Sequence, residues 1–242
     1  MAGGALMVSD KVEAYRDDAN LEGMKRSAPV LFTVPGQLYD YGQRRPSDRS
    51  AAKRGGEAVW WLQEIDRSFD HWCVLARFNW RRKDLGWRRP GAPAVDVNFA
   101  DLGLDPERNY LVFEFWSQTF LGSLKGSFTA VAQDPGRGVD VFAIREARPH
   151  PWVIGTTRHL SQGGVSLMEV NWEERGKTLS GTSSVVVGDP YVLTVHVPDG
   201  FELKRAEIDG EKAETTRRTE MATIRFVPTE TKTVKWKLAF GG

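Results

Sequence analysis

Hydrophobic and polar positions alternate most sharply between His71 and Trp80 (HWCVLARFNW). Trp72, Val74, Ala76, Phe78 and Trp80 occupy one phase, and His71, Cys73, Leu75, Arg77 and Asn79 the other. A strand turns successive side chains to opposite faces, so one face here is wholly apolar and rich in aromatic area. Burying rings of that size predicts a strand at the centre of a sheet. The mixed second face predicts an antiparallel strand packed on one side and partly solvated on the other.

The same period of two continues on both sides of this stretch. Strands are predicted over 58–63, 72–80, 94–100, 110–116, 126–132 and 139–145, with Leu111, Phe113 and Phe115 on one face of their strand and Tyr110, Val112, Glu114 and Trp116 on the other. The connections carry turn chemistry: Gly86, Pro90-Gly91, Gly103, Asp105-Pro106 and Pro135-Gly136. Arg148-Pro149-His150-Pro151 breaks the run. Beyond it, strands are predicted over 152–159, 165–172, 178–187, 191–197, 201–208, 221–227 and 231–240. Asp209-Gly210 reads as a hairpin turn, because aspartate and glycine tolerate positive φ. Short strands at regular spacing without a convincing helix point to antiparallel sandwiches.

The first 56 residues read differently. Ala5 to Val8 is a short buried strand, and Ser9 or Asp10 begins a helix with Glu13 completing a capping box. Helix signals cover Lys11 to Tyr15 and Asn20 to Arg26, where Leu21 and Met24 share a face, and Pro29 ends them. A lone βα unit belongs to a parallel sheet or barrel whose other strands are missing here, which is the expectation of a truncated barrel. Residues 30–56 hold turn formers and the basic cluster Arg44, Arg45, Arg49, Lys53 and Arg54, and read as a solvated linker.

Composition narrows the class. The 242 residues are 40% hydrophobic, with nine Trp and twelve Phe, enough to build a sizeable core. A net charge of +1 makes no case for nucleic acid or an anionic membrane as partner. One cysteine, Cys73, excludes an intrachain disulfide and a thiolate cluster. No apolar run approaches the roughly 20 residues of a membrane span. No basic start with an apolar core marks a signal peptide, so the expected setting is soluble and cytoplasmic.

Candidate chemistry is sparse. His71, His150, His159 and His196 lack metal-ligand spacing, so no metal or cofactor is expected. His159, ahead of Ser161-Gln162-Gly163-Gly164, reads as a hydrogen-bonding anchor for its loop, and Ser161 lacks the GxSxG setting of a nucleophile. Asp96, Asp101, Asp105, Glu114 and Asp140 read as acids on solvated sheet faces. Trp80 to Arg89 (WRRKDLGWRR) interleaves Trp80 and Trp87 with five basic residues. That pattern suits either a loop sealing the sandwich end or an exposed indole stacking on a sugar, and Trp87 is the first candidate for the second role.

The segments VLARFNW (74–80), VDVNFADLGLDPERNYLVFEFWSQTFLGSLKGSF (95–128) and VDVFAIRE (139–146) resemble the C-terminal β-sandwich region of α-galactosidase-type (melibiase-like) glycoside hydrolases. GTTRHLSQGGVSL (155–167) is similar to the β region that follows it in some members. GGALMVSD and MKRSAPVL resemble the last barrel strand and the end of the last barrel helix. The resemblance implies a mainly β chain: a βα remnant of a (β/α)8 barrel (1–34), a linker (35–56), and two consecutive antiparallel β-sandwich domains (57–148 and 149–242). It also implies that the two catalytic carboxylates lie on barrel strands this chain lacks, so no residue here inherits a catalytic role. Asp10, at the end of the presumed last barrel strand, either lines a sugar subsite or caps the helix. The expected function is that of a non-catalytic accessory region; the alternative is a stand-alone carbohydrate-binding or protein-interaction module. The partners to consider are a separate barrel-bearing chain, a glycan and a second copy of the chain.

Overall fold

The computed structural model describes residues 13, 16–29, 37–38, 60–78, 94–131 and 138–242. One α-helix, α1 (Asp18–Ser27), precedes seventeen strands among these residues. The strands are β1 (Gln37–Leu38), β2 (Trp60–Arg67), β3 (Asp70–Phe78), β4 (Val95–Asn98), β5 (Asn109–Glu114), β6 (Thr119–Lys125), β7 (Ser127–Ala130), β8 (Val139–Glu146) and β9 (Trp152–Thr156). Then come β10 (Leu167–Glu173), β11 (Thr178–Val185), β12 (Tyr191–His196), β13 (Glu202–Ile208), β14 (Glu211–Lys212), β15 (Glu214–Arg218), β16 (Met221–Phe226) and β17 (Lys232–Gly241). The protein is mainly β, its strand pairs are antiparallel, and its sheets are stacked in a manner consistent with a β-sandwich. The Ala5–Val8 strand, the Lys11–Tyr15 turn and most of the 30–56 linker lie outside the described residues.

A six-stranded sheet runs in the order β1-β2-β3-β8-β5-β6. The aromatic-rich strand is interior to it, as its alternation predicts. Trp72, Val74 and Ala76 share a core with Ile65, Phe115, Val141, Ala143 and Leu160. The opposite face departs from the sequence reading, because beyond the exposed His71 it is covered. Cys73 and Leu75 are buried beneath the two-stranded sheet β4-β7, whose Val97, Phe128 and Ala130, with Phe99 just after β4, complete a second core with Val112, Phe142 and Ile144. Burial pushes the Cys73 thiol up to about 11, as expected of a small buried hydrophobe. Arg77 on this face is also buried, and its Nη1 donates to the Ala130 carbonyl at 3.0 Å.

Two of the acids expected on solvated faces are inside. Glu114 is fully buried, with Oε1 accepting from the Val141 N–H (3.1 Å) and Oε2 from the Ser117 N–H and hydroxyl (both 2.7 Å). Asp140 is buried too, near the Arg77 guanidinium. Asp96, Asp101 and Asp105 are exposed as expected. The strand predicted over 126–132 is shorter, and β6 precedes it unpredicted. Gly122, at φ 131°, lies beside a register shift between β5 and β6 and interrupts the two-residue period there.

The C-terminal strands form a five-stranded sheet, β10-β11-β17-β13-β14, and a four-stranded one, β15-β16-β12-β9. Leu179, Val234, Trp236, Leu238 and Phe240 from the first meet Tyr191, Leu193, Val195 and Ile224 from the second in one core. Asp209 and Gly210 both have positive φ (50° and 85°) and connect β13 to β14 with Ile208 opposite Glu211, the two-residue hairpin their chemistry predicts. β15 is exposed along its whole length, so it lacks the apolar phase by which sequence reveals a strand.

Residues 157–166 are a further correction. The strand predicted over 152–159 ends at Thr156, and the chain then turns through a connection in which residues 159–164 are all buried. Buried irregular backbone needs partners for its polar groups. Here Trp72 Nε1 donates to the Ser161 carbonyl (3.0 Å), Arg145 Nη2 to the Gln162 carbonyl (2.8 Å) and Gln162 Nε2 to the Val141 carbonyl (3.2 Å).

Helix α1 is fastened to residues distant in sequence, at 158–160 and 189. It stops just before Ala28-Pro29, as a residue ahead of proline disfavours the helical region. Among its described side chains the buried one is Arg26, and Leu21 and Met24 form no buried apolar stripe. Arg26 Nη1 and Nη2 reach the two carboxylate oxygens of Asp189 at 2.7 and 2.8 Å, and Nε reaches Glu22 at 2.6 Å. Its carbonyl accepts from the Leu160 N–H at 2.9 Å, and Arg158 donates to the Ala28 carbonyl.

Candidate functional site

The densest polar chemistry among the described residues lies where β8 passes through Ala147-Arg148-Pro149-His150-Pro151 into β9. Its centre is Asp70, the first residue of β3. A two-residue hairpin between Arg67 and Asp70 presents it, and its side chain is 8% exposed. Oδ2 accepts from Arg145 Nη1 (2.5 Å) and Trp152 Nε1 (3.0 Å), and Oδ1 from Arg148 Nη2 (3.0 Å) and the His71 N–H (3.0 Å). A carboxylate has about four acceptor positions, so Asp70 is saturated. It acts as a fastening between β3, β8 and β9, with no lone pair left for a general base.

Arg145 is its main counterpart. Trp72 and Arg145 are directly paired across β3 and β8, which places both on one face. The Arg145 guanidinium stacks on the Trp72 ring, and its Nε faces the Ile154 carbonyl at 3.3 Å. Full burial pulls the guanidinium below its usual range, to about 10, against the opposing pull of Asp70. Arg148 lies over the Trp152 ring at 3.8 Å.

A cleft of about 490 Å³ opens beside this junction. Leu104, Tyr110 and Ile144 supply an apolar floor, and His71, Glu146 and His150 stand among its lining. Glu146 takes both oxygens to Arg108 Nη1 at 2.8 Å. His150 stacks on Trp172, with ring centres 4.9 Å apart and planes 2° from parallel.

His159 and Ser161 form a pair whose composition invites a nucleophile reading. Nδ1 of His159 is 2.8 Å from Ser161 Oγ and also accepts the Ser161 N–H at 3.0 Å. Both residues are buried, at 6% and 2% exposure, so a substrate has no access to them. Burial lowers the His159 pKa to about 4, with Arg158 adding to the effect and the Ser27 and Pro29 carbonyls opposing it. The imidazole is a neutral acceptor that anchors its loop.

Of the residues singled out from sequence as ligand-binding, Trp80, Trp87 and Asp10 all lie outside the described residues. Asp70, Arg145 and Glu146, which the structure brings together, were not singled out. The available signal was Arg145, a cation in the midst of the apolar strand VDVFAIRE. Among the described residues no group of three or more His, Cys, Asp or Glu is arranged to hold a metal, and no helix is long and apolar enough to cross a membrane. No known protein-family model and no curated protein matches the chain.

Proposed function

We propose that the chain is the non-catalytic β framework of an α-galactosidase-type glycoside hydrolase. In this reading two β-sandwich domains (57–148 and 149–242) follow a βα remnant of the catalytic barrel (1–34), and the barrel's carboxylates lie on other strands. The observation that carries it is the use made of buried acids. Asp70 and Glu114 are spent on internal donors that tie one strand to the next. A retaining glycosidase needs two carboxylates about 5 Å apart across open space for a sugar. The docking of α1 adds support, since the segment resembling the end of a barrel helix is held by an ion pair to Asp189 and by Arg158. A framework that steadies a barrel requires such a fastening.

The test is reconstitution. The chain is mixed with a separately produced barrel of an α-galactosidase-type enzyme lacking its last βα unit, and hydrolysis of a nitrophenyl α-galactoside is followed. A complex at micromolar concentration with restored turnover is expected. Absence of a complex, or turnover by the chain alone that one carboxylate substitution abolishes, would overturn the reading.

A further inference from the structure

The cleft beside Asp70 has a chemistry that the framework role does not use. Its volume, about 490 Å³, lies toward the small end of the roughly 300–1,000 Å³ typical of small-molecule sites. Two formal charges at its rim already have partners: Arg148 is 3.0 Å from Asp70, and Glu146 is 2.8 Å from Arg108. A charged ligand would have to compete with those pairs, so the complement of this rim is a neutral molecule.

Hydrogen-bonding capacity remains after the pairing. The Glu146 carboxylate is 53% exposed and keeps acceptor positions, and the His71 side chain is 55% exposed. His150 Nδ1 sits 3.0 Å from the Pro151 carbonyl, which makes Nδ1 the donor and leaves Nε2 an acceptor. Its ring is held flat against Trp172 between two prolines, so its direction is set before anything binds. Tyr110 Oη accepts the Asp105 N–H at 3.1 Å and retains its own proton to donate. Beneath lie the aliphatic side chains of Leu104 and Ile144.

Donors and acceptors around an apolar floor, with local charge already balanced, fit a ring that carries hydroxyls on its edge and C–H groups on its face. We propose that this cleft binds a neutral sugar or polyol of about monosaccharide size. The proposal does not depend on the reading of the chain as a barrel's framework.

The experiment is an amide NMR titration of the full chain with D-galactose, D-glucose, glycerol and inorganic phosphate, repeated on His71→Ala and Glu146→Gln. Both variants alter exposed side chains and leave the Asp70 fastening intact. Saturable shifts are expected at amides of residues 71–73, 146–148 and 150, with millimolar affinity. Each rim substitution should weaken binding about tenfold, the value of one hydrogen bond to a charged or strongly polar group. Non-saturable shifts for all three neutral compounds, shifts mapping to other residues, unchanged affinity in both variants, or saturation by inorganic phosphate in their place would each overturn the proposal.

Discussion

The guanidinium carbon of Arg145 lies 3.6 Å from the centre of the Trp72 ring, and both residues are about 1% exposed. That contact joins the six-stranded sheet to the buried connection, since Trp72 Nε1 and Arg145 Nη2 donate to the successive carbonyls of Ser161 and Gln162. Arg145→Met keeps much of the volume but strands the Asp70 carboxylate and the Gln162 carbonyl. The expected loss is about 3–5 kcal/mol, as for breaking a buried ion pair from one side. Asp70→Asn combined with Arg145→Met should cost less than the sum of the two single changes. Urea unfolding of the four proteins measures both, and additivity would refute the coupling.

His159 makes stability depend on pH on the acid side. Its folded pKa, about 4, lies below the ordinary 6.5, so the unfolded chain binds the proton first as pH falls. The contribution is complete above pH 6.5 and is lost as pH drops toward 4, to an extent of roughly 3 kcal/mol. His159→Asn, whose amide oxygen can accept the Ser161 N–H, should flatten this part of the profile. Thermal melts at pH 7.5, 6 and 5 compare the two proteins, and parallel profiles would show that another group is responsible.

Gly181 on β11 lies directly opposite Trp236 on β17. A Cβ at Gly181 would overlap the Trp236 ring and the Glu169 carbonyl oxygen, and the latter is backbone that cannot step aside. Trp236 is itself fixed by its Nε1 donation to Ser183 Oγ at 3.0 Å, which Tyr191 Oη also reaches at 2.9 Å. Gly181→Ala should cost about 1–3 kcal/mol by overpacking. Trp236→Phe in the same background should recover part of it in denaturant titrations.

Asp189→Asn removes the charge that holds Arg26 while keeping the shape of the loop. Helix α1 should then open locally with little effect on the two C-terminal sheets. Trypsin should cut after Lys25 or Arg26 several-fold faster than in the unaltered protein, with the unfolding midpoint nearly unchanged. An unaltered cutting rate would mean that the Leu160 and Arg158 contacts to helix carbonyls suffice.

What the sequence reveals here follows the range of each interaction. The alternation from Trp72 to Phe78 identifies an interior strand, because a period of two is a local property. The cover over Cys73 and Leu75 is not local: it comes from residues 95–98 pairing with 127–130. Asp209-Gly210 is legible because positive φ is a preference of those two residues alone. Asp70 is not legible, since its donors are contributed by positions 71, 145, 148 and 152, and only folding assembles them. Glu114 and Asp140 mislead for the same reason, having the spacing of solvated acids and the surroundings of buried ones.

β17 is an interior strand of the five-stranded sheet, paired with β11 on one side and β13 on the other. During synthesis on the ribosome, β11 and β13 therefore wait without a common neighbour until residues 232–241 have cleared the exit tunnel. Their hydrophobic faces stay uncovered through that interval, so chaperone demand for this half should persist until β17 has emerged. A stalled message ending near residue 230 should deliver a species that aggregates, while the six-stranded sheet upstream is already complete.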